Sequence, residues 1–316
     1  MCFLHSDDFK EKARKLQIDQ IGIAAVKPVD ETTRKRFTDY LSQGRHARMG
    51  YLERHIGKRL DPSLLFPGAK SAVVILCGYL QAEGTPRHPH ISLYAQGTDY
   101  HLYVKEKLSA LADGLPPGSF RCLCDTAPLL EKYWARQAGL GFIGRNSLLL
   151  NPQLGSYCFI GVLLTRNGFD RYDTPLVETP ERPHPCAGCR RCEQTCPAGA
   201  LNEGLDANKC LSYITIESKD ERPSLPACCW FGCDACQTAC PANAHVRRPG
   251  HEAFRATEAL LSLSKEKISD MQPCEFEEKF QNSPLLRAGL DGLRKNIRAS
   301  APATSTNHQS KIIDIP

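Results

Sequence analysis

Seven cysteines fall into two blocks, and each block ends in Cys-Pro. The first reads Cys186-x2-Cys189-x2-Cys192-x3-Cys196-Pro197, and the second Cys233-x2-Cys236-x3-Cys240-Pro241. At the first spacing, three cysteines hold one iron–sulfur cluster and the fourth reaches across to another. The second block carries the back half of the same pattern. Two clusters side by side move electrons one at a time, so the chemistry to expect is reduction of something held elsewhere in the chain.

Disulfides and zinc fit these residues less well. Sixteen cysteines spread over 316 residues do not make a small stapled scaffold. Structural zinc takes paired Cys-x2-Cys ligands, four in all, whereas three cysteines at three-residue spacing followed by Cys-Pro suit a cubane. One ligand stays open on spacing alone. A regular second block would start at position 230, which is Trp230, and Cys229, Cys228 and Cys210 compete for the role. Cys2, Cys77, Cys122, Cys124, Cys158 and Cys274 read as core or surface residues.

The elements that must position this centre come from the first half of the chain. Helical patterns cover 7–17, 30–43, 99–113 and 129–138. Extended patterns cover 21–26, 71–80, 119–124, 147–150 and 157–165. The alternation predicts an α/β or α+β domain over 1–170. A proline-rich stretch, with Pro175, Pro180, Pro183 and Pro185, leads into a cluster domain over 171–250. Helices are expected over 252–264 and 276–297, within a C-terminal segment 251–298. The Ser/Thr/Ala-rich tail 299–316 reads as disordered.

The longest apolar run, Ala72 to Leu80, is about half of what a membrane span needs. No hydrophobic or twin-arginine leader is seen, so a cytoplasmic protein with no membrane partner is expected. Eight Lys or Arg between Arg34 and Arg59 face only Asp39 and Glu53. That stretch is either a solvated helical face or a patch for nucleic-acid phosphates.

Gly139-Leu140-Gly141-Phe142-Ile143-Gly144 matches G-x-G-x-x-G, but a helix precedes it and an extended segment follows, the reverse of the dinucleotide-binding context. Its glycines are expected to admit some other bulky ligand. Asp125 ends an apolar strand just before a helix. Two roles are open to it: helix N-cap, or an acid kept protonated by burial.

From Asp125 to Thr165 the chain reads DTAPLLEKYWARQAGLGFIGRNSLLLNPQLGSYCFIGVLLT. This stretch resembles the epoxyqueuosine reductases, cobalamin and iron–sulfur enzymes of the last queuosine step in tRNA. The likeness extends to Gly50-Tyr51-Leu52 with Lys58-Arg59, to ISLYAQGTDYH at 91–101 and to CLSYITIE at 210–217. It continues through GCDACQTACP at 232–241 and SPLLRAGLDGLRKN at 283–296. The resemblance implies a nitroreductase-like cobalamin-binding domain, a ferredoxin-like domain with two 4Fe–4S clusters, and C-terminal helices. It implies reduction of the epoxide of epoxyqueuosine at the wobble position, with tRNA as partner and an external electron donor.

The resemblance also distributes the ligands. Cys186, Cys189, Cys192 and Cys240 would hold one cluster, and Cys196, Cys210, Cys233 and Cys236 the other. Asp125 would be the proton donor. Arg59, Ser92, Asp125, Leu149, Ile160, Ser212, Asp234 and Ala235 would contact cobalamin, bound without a protein ligand to cobalt. Asp99-Tyr100-His101-Leu102-Tyr103-Val104 lacks the glycine of the histidine-ligating motif, which makes His101 a poor axial ligand. Leu93 and Thr98 depart from the family, which often has Arg and a basic residue there. The competing classes are a cobalamin-dependent reductive dehalogenase, a non-catalytic ferredoxin-type electron carrier, and an RNA-binding protein with structural clusters.

Overall fold

The computed structural model describes residues 3–179, 184–220, 224–226 and 229–300. Cys2, Cys228, Pro180, Pro183 and the tail from 301 lie outside the described residues. The chain forms two compact units: Met1–Gly78 with Tyr100–Arg190, and Tyr79–Asp99 with the chain from Arg191 onward.

The first unit holds six strands among its described residues: β1 Gln20–Ala25, β2 Ser71–Gly78, β3 Phe120–Leu123, β4 Phe142–Ile143, β5 Leu149–Leu150 and β6 Cys158–Thr165. Four of them form one sheet in the order β1-β2-β6-β3, antiparallel at every pairing. Strand β2 is buried at every position, as its unbroken apolar run requires of a central strand covered on both faces. Six helices accompany it: α1 Ser6–Lys15, α2 Glu31–Ser42, α3 Ile56–Leu60, α4 Pro62–Leu65, α5 Tyr100–Ala112 and α6 Glu131–Gln137. Helix α2 starts where Asp30 accepts the Thr33 amide at 2.8 Å, a side-chain N-cap. Trp134 and Ala135 of α6 pack with Val74, Leu76, Val162 and Leu164 of the sheet, while Val104 and Leu108 of α5 are wholly buried. Each such side chain contributes about 1.5–3 kcal/mol by leaving water.

The Gly139–Gly144 stretch does not open around a ligand. It leads from α6 into the β4–β5 hairpin, where Phe142 pairs with Leu150 and Ile143 with Leu149. A Cβ at Gly141 would sit 2.3 Å from the Leu150 carbonyl oxygen. The glycine therefore admits the chain's own backbone, correcting the expectation of a foreign ligand.

The second unit is helical: α7 Arg191–Thr195, α8 Leu211–Ile216, α9 Ala235–Thr238, α10 Glu258–Leu261, α11 Lys265–Asp270, α12 Pro273–Phe280 and α13 Gly289–Ala299. The single helix expected over 276–297 is divided. Ser283 caps a short 3-10 turn over Pro284–Arg287, and Gly289 then takes φ +69°. Proline offers no amide to the preceding turn, which ends α12. The helix expected over 252–264 is likewise reduced to a 3-10 turn at Glu252–Phe254 and to α10, capped by Thr257.

Three segments distant in sequence meet at Asn296, which has no exposure to water. Its Nδ2 donates to the Thr215 carbonyl at 2.7 Å and to the Trp230 carbonyl at 2.8 Å. Thr215 Oγ1 in turn accepts the Gly232 amide at 2.9 Å. Trp230 is itself core, stacked on His90 with ring centroids 4.3 Å apart, which accounts for an indole where the regular cluster spacing asks for cysteine. Among the described residues, no helix is long and apolar enough to cross a membrane. Replacing Asn296 with Ala leaves two buried carbonyls without their donor, at about 1–3 kcal/mol for each unsatisfied group. The expected outcome is a lower urea midpoint with an unchanged slope; an unaltered midpoint would mean that the carbonyls find other donors.

Candidate functional site

Strand β3 delivers Leu123 and Cys124 into the core, and the chain then turns sharply at Asp125, whose φ is +57°. Aspartate is among the few non-glycine residues that tolerate this region. The turn separates Asp125 from α6, whose N-cap position is Leu130, so the N-cap role does not apply. The Asp125 amide instead donates to Glu131 Oε1 at 2.6 Å. The Asp125 side chain meets the first turn of α5: Tyr100 OH donates to Oδ2 at 2.7 Å, and His101 Nε2 lies 3.5 Å from the same oxygen. Tyr100 is held flat against Phe159 of β6, with centroids 4.3 Å apart and planes 3° from parallel.

These neighbours alter the electrostatics expected from sequence. The Asp125 side chain is 61 % exposed. The hydrogen bond from His101, joined by that from Tyr100, holds its carboxyl below the usual aspartate value against the opposing effect of partial burial. The expectation that burial keeps Asp125 protonated is not met. The group that is held protonated is Glu131, pushed up to about 8 by burial and then by the Asp125 charge. The two carboxyls therefore retain one proton between them through neutral pH, a property of the pair. Lys132 is exposed, and its Nζ donates to the Ser147 carbonyl at 2.6 Å.

Arg59 of α3 is buried, which lowers its pKa. Its Nη2 donates to the Tyr51 carbonyl at 3.0 Å, while its Nε has no hydrogen-bond partner. An orphaned, buried guanidinium N–H is a donor awaiting an acceptor. Leu149 and Ile160 both pack in the apolar core of this unit. Arg59 was counted with the basic stretch 34–59, and its burial removes it from that surface. Helix α2 within the stretch buries no residue and exposes Lys35 and Arg36.

In the second unit Asp234, just before α9, accepts from Ser92 Oγ and from the Leu93 amide, the latter at 2.8 Å. Burial raises the Asp234 carboxyl. The arrangement needs Gly232, because a Cβ there would lie 2.5 Å from Ser92 Cβ, and its φ of +77° is left-handed. Ser212 lies in α8, and Ala235 opens α9. Leu93 lines a cavity of about 450 Å³ together with Tyr79, Arg87, Gln96 and Arg248.

Helix α7 carries Cys192, α9 carries Cys236, and the two helices pack together. Burial raises the Cys210 thiol, and the Cys233 and Cys196 sulfurs add to it against hydrogen bonds from the Tyr213 and Ser212 amides. Cys236 is pushed up to about 12 by burial, then by Cys233, Cys210 and Cys192. Cys192, Cys196, Cys210, Cys233 and Cys236 are thus one electrostatic group, and cluster binding would release their thiol protons. Cys196 Sγ accepts the Ala200 amide at 3.3 Å, and the Cys240 amide donates to the Gln237 carbonyl at 3.1 Å. In the first unit Cys186 Sγ accepts the Arg145 amide at 3.4 Å, and the Cys189 amide donates to the Cys186 carbonyl at 3.1 Å. Among the described residues, no group of three His, Cys, Asp or Glu is gathered as ligands of a single metal ion. Cys229 is buried beside Trp230.

Sequence reasoning missed Glu131 and Tyr100 and weighed His101 only as a cobalt ligand. Both Asp125 and Glu131 stand in DTAPLLEK, but only the left-handed turn brings the second carboxyl back onto the first residue's amide.

Two family models match the chain: epoxyqueuosine reductase QueG, DUF1730, over residues 59–126, and a 4Fe-4S double cluster binding domain over residues 185–243. The epoxyqueuosine reductase of Leadbetterella byssophila is 36% identical, over 93% of this chain and 97% of the relative. An epoxyqueuosine reductase solved with an epoxyqueuosine-modified tRNA-Tyr stem loop superposes with a TM-score of 0.80 at 27% identity, over 92% of this chain and 79% of that one. The Bacillus subtilis enzyme, solved with its catalytic aspartate loop swung out of the active site, gives 0.79 at 27% identity with the same coverage.

The cysteine grouping predicts that Cys210→Ser lowers bound iron and disturbs one cluster, whereas Cys229→Ser does not. Iron counting and low-temperature EPR on the two reconstituted variants decide it. A loss confined to Cys229→Ser would reassign the eighth ligand.

Proposed function

The chain belongs to the epoxyqueuosine reductase family, and on that premise we propose that it reduces the epoxide of epoxyqueuosine at the tRNA wobble position to give queuosine. It is an oxidoreductase with a 4Fe–4S double cluster domain. The observation that carries the reading is the Asp125 turn. It is an exposed carboxyl on a constrained backbone, hydrogen-bonded to a phenol and 3.5 Å from an imidazole nitrogen, beside a second carboxyl whose pKa is raised.

Reducing the epoxide to the alkene needs two electrons and two protons, and the oxygen leaves as water. Bound cobalamin would supply reduced cobalt, and the clusters would supply electrons singly from an external donor. The residues present fit that cofactor in the first unit at two positions: Arg59 offers its orphaned Nε–H, and Ile160, partly buried at the edge of the core, offers apolar surface, while Leu149 is packed inside that core. Ser92, Ser212, Asp234 and Ala235 carry the family expectation for the remaining contacts. The two sets of cluster ligands, with Cys240 joining the first and Cys210 the second, rest on the same expectation.

Asp125 is the proton donor in this reading. Exposed, it is ionised. A substrate laid over it removes water and raises its pKa, and the Glu131 carboxyl beside it is raised as well. The site of action is the cytoplasm, where thiols stay reduced for cluster assembly.

Asp125→Asn keeps the size of the side chain and its ability to accept from Tyr100, but it cannot act as an acid. Clusters and cofactor are expected to be retained, with single-turnover conversion of epoxyqueuosine tRNA slowed roughly a hundred- to ten-thousand-fold. That is about 1.4 kcal/mol of barrier for each factor of ten. Mass spectrometry of the tRNA, with excess chemical reductant and with or without cobalamin, reads it. Turnover within a few-fold of wild type at full cofactor content would move the acid elsewhere.

We assign tRNA phosphates to the basic stretch from Arg34 to Lys58. Neutralising Arg45 and Arg48 together should weaken binding and flatten the salt dependence by a slope of about one to two. Binding curves across a salt series check this, and an unchanged slope would return the stretch to a solvated face.

A further inference from the structure

A left-handed conformation at a residue other than glycine costs on the order of 1–2 kcal/mol and persists where the surroundings impose it. Around Asp125 the backbone bonds are local: the Thr126 amide to the Cys124 carbonyl at 2.6 Å, and the Leu129 amide to the Ala127 carbonyl at 2.8 Å. The side chain that returns to the turn is Glu131, the first residue of α6, whose Oε1 accepts the Asp125 amide at 2.6 Å. Tyr100 and His101 then receive the carboxyl where that backbone presents it.

We propose that Glu131 is a positioning residue for the reaction: its carboxyl latches the Asp125 amide, holds the turn left-handed, and so keeps the Asp125 carboxyl on Tyr100 and His101. This rests on the reading of Asp125 as the proton donor. The ionisable groups that face Glu131 are Asp125, His101 and Lys132, with Arg59 and Cys124 also within its field. Burial and then the Asp125 charge raise the Glu131 carboxyl, which favours its neutral form. In that form it accepts through a carbonyl oxygen and places no second negative charge beside Asp125. A glutamine offers the same oxygen at the same reach. An aspartate keeps the acid but is one methylene too short to close the bond.

The test compares Glu131→Gln with Glu131→Asp in the cluster- and cobalamin-loaded enzyme. Exchange of the Asp125 amide hydrogen reads the latch directly, without turnover. It is expected to quicken about ten-fold or more in Glu131→Asp and to stay within about three-fold of wild type in Glu131→Gln. In single-turnover and steady-state assays, Glu131→Asp should lose about ten- to a hundred-fold in kcat with KM for tRNA held within about two-fold, and Glu131→Gln should keep most of kcat. Glutamine failing in kcat with its amide still protected would overturn the proposal, since the proton of Glu131 rather than its grip would then matter. Unchanged exchange in Glu131→Asp would also overturn it. Should Asp125→Asn prove active, the acid assignment fails, while the exchange result still reports whether the latch exists.

Discussion

The helical unit is tied together at one carboxamide sealed from water. Asn296 reaches from the last helix to the Thr215 and Trp230 carbonyls, groups that would otherwise be buried without donors, a cost comparable to the whole net contribution of several ordinary hydrogen bonds. From that point the geometry is passed on by short links. Thr215 fixes the Gly232 amide, and Gly232 makes room for Ser92. Ser92 and the Leu93 amide then fix the Asp234 carboxylate one residue before α9. Cys233 and Cys236 flank that carboxylate in sequence, so the placement of sulfurs and the placement of a helix terminus some sixty residues later are one problem with one solution.

The sheet-bearing unit solves a different problem, that of presenting an acid to solvent without letting it wander. An exposed carboxyl is readily ionised and conformationally free. Here the backbone under it is bent into a region most residues avoid, and the aromatic pair beside it is clamped on β6. Two carboxyls then divide the labour through their surroundings alone. The one reached by a phenol and an imidazole gives up its proton easily, and the one in the wall keeps it. Opposite shifts in adjacent acids are a recurrent way of making acid chemistry available near neutral pH.

Much of this was legible in the residues. The cubane spacing, the buried strand expected over 71–80 and found at 71–78, and the helix expected over 99–113 and found at 100–112 follow from periodicity and ligand geometry, and the ordered family likeness named the chemistry. What was not legible depended on the third dimension. Asp125 before a helical pattern looks like a cap or a buried acid, and it is neither, because a single positive φ turns its side chain out and its amide in. Arg59 looked like one more cation in a basic run until α3 buried it. The Gly139–Gly144 glycines looked made for a ligand because sequence spacing cannot distinguish a foreign molecule from the chain's own hairpin. Trp230 broke a cysteine pattern for a reason visible only in its stacking on His90.

The units are not consecutive stretches of chain, and this bears on how the protein is made. Residues 79–99 belong with the chain from Arg191 onward, yet residues 100–190 are synthesised in between. At the usual pace of translation, about 5–20 residues per second, Ser92 waits about 7–28 s for Gly232 and Asp234, and longer still for the helix that carries Asn296. During that interval Ile91, a core residue of the finished unit, and His90, which stacks on Trp230, are without the partners that 230–231 supply. The cysteines of the second block emerge before the carboxamide that orders Thr215 and Trp230. A chain still lacking α13 therefore has the second cysteine block in place but not the carboxamide that binds the Thr215 and Trp230 carbonyls.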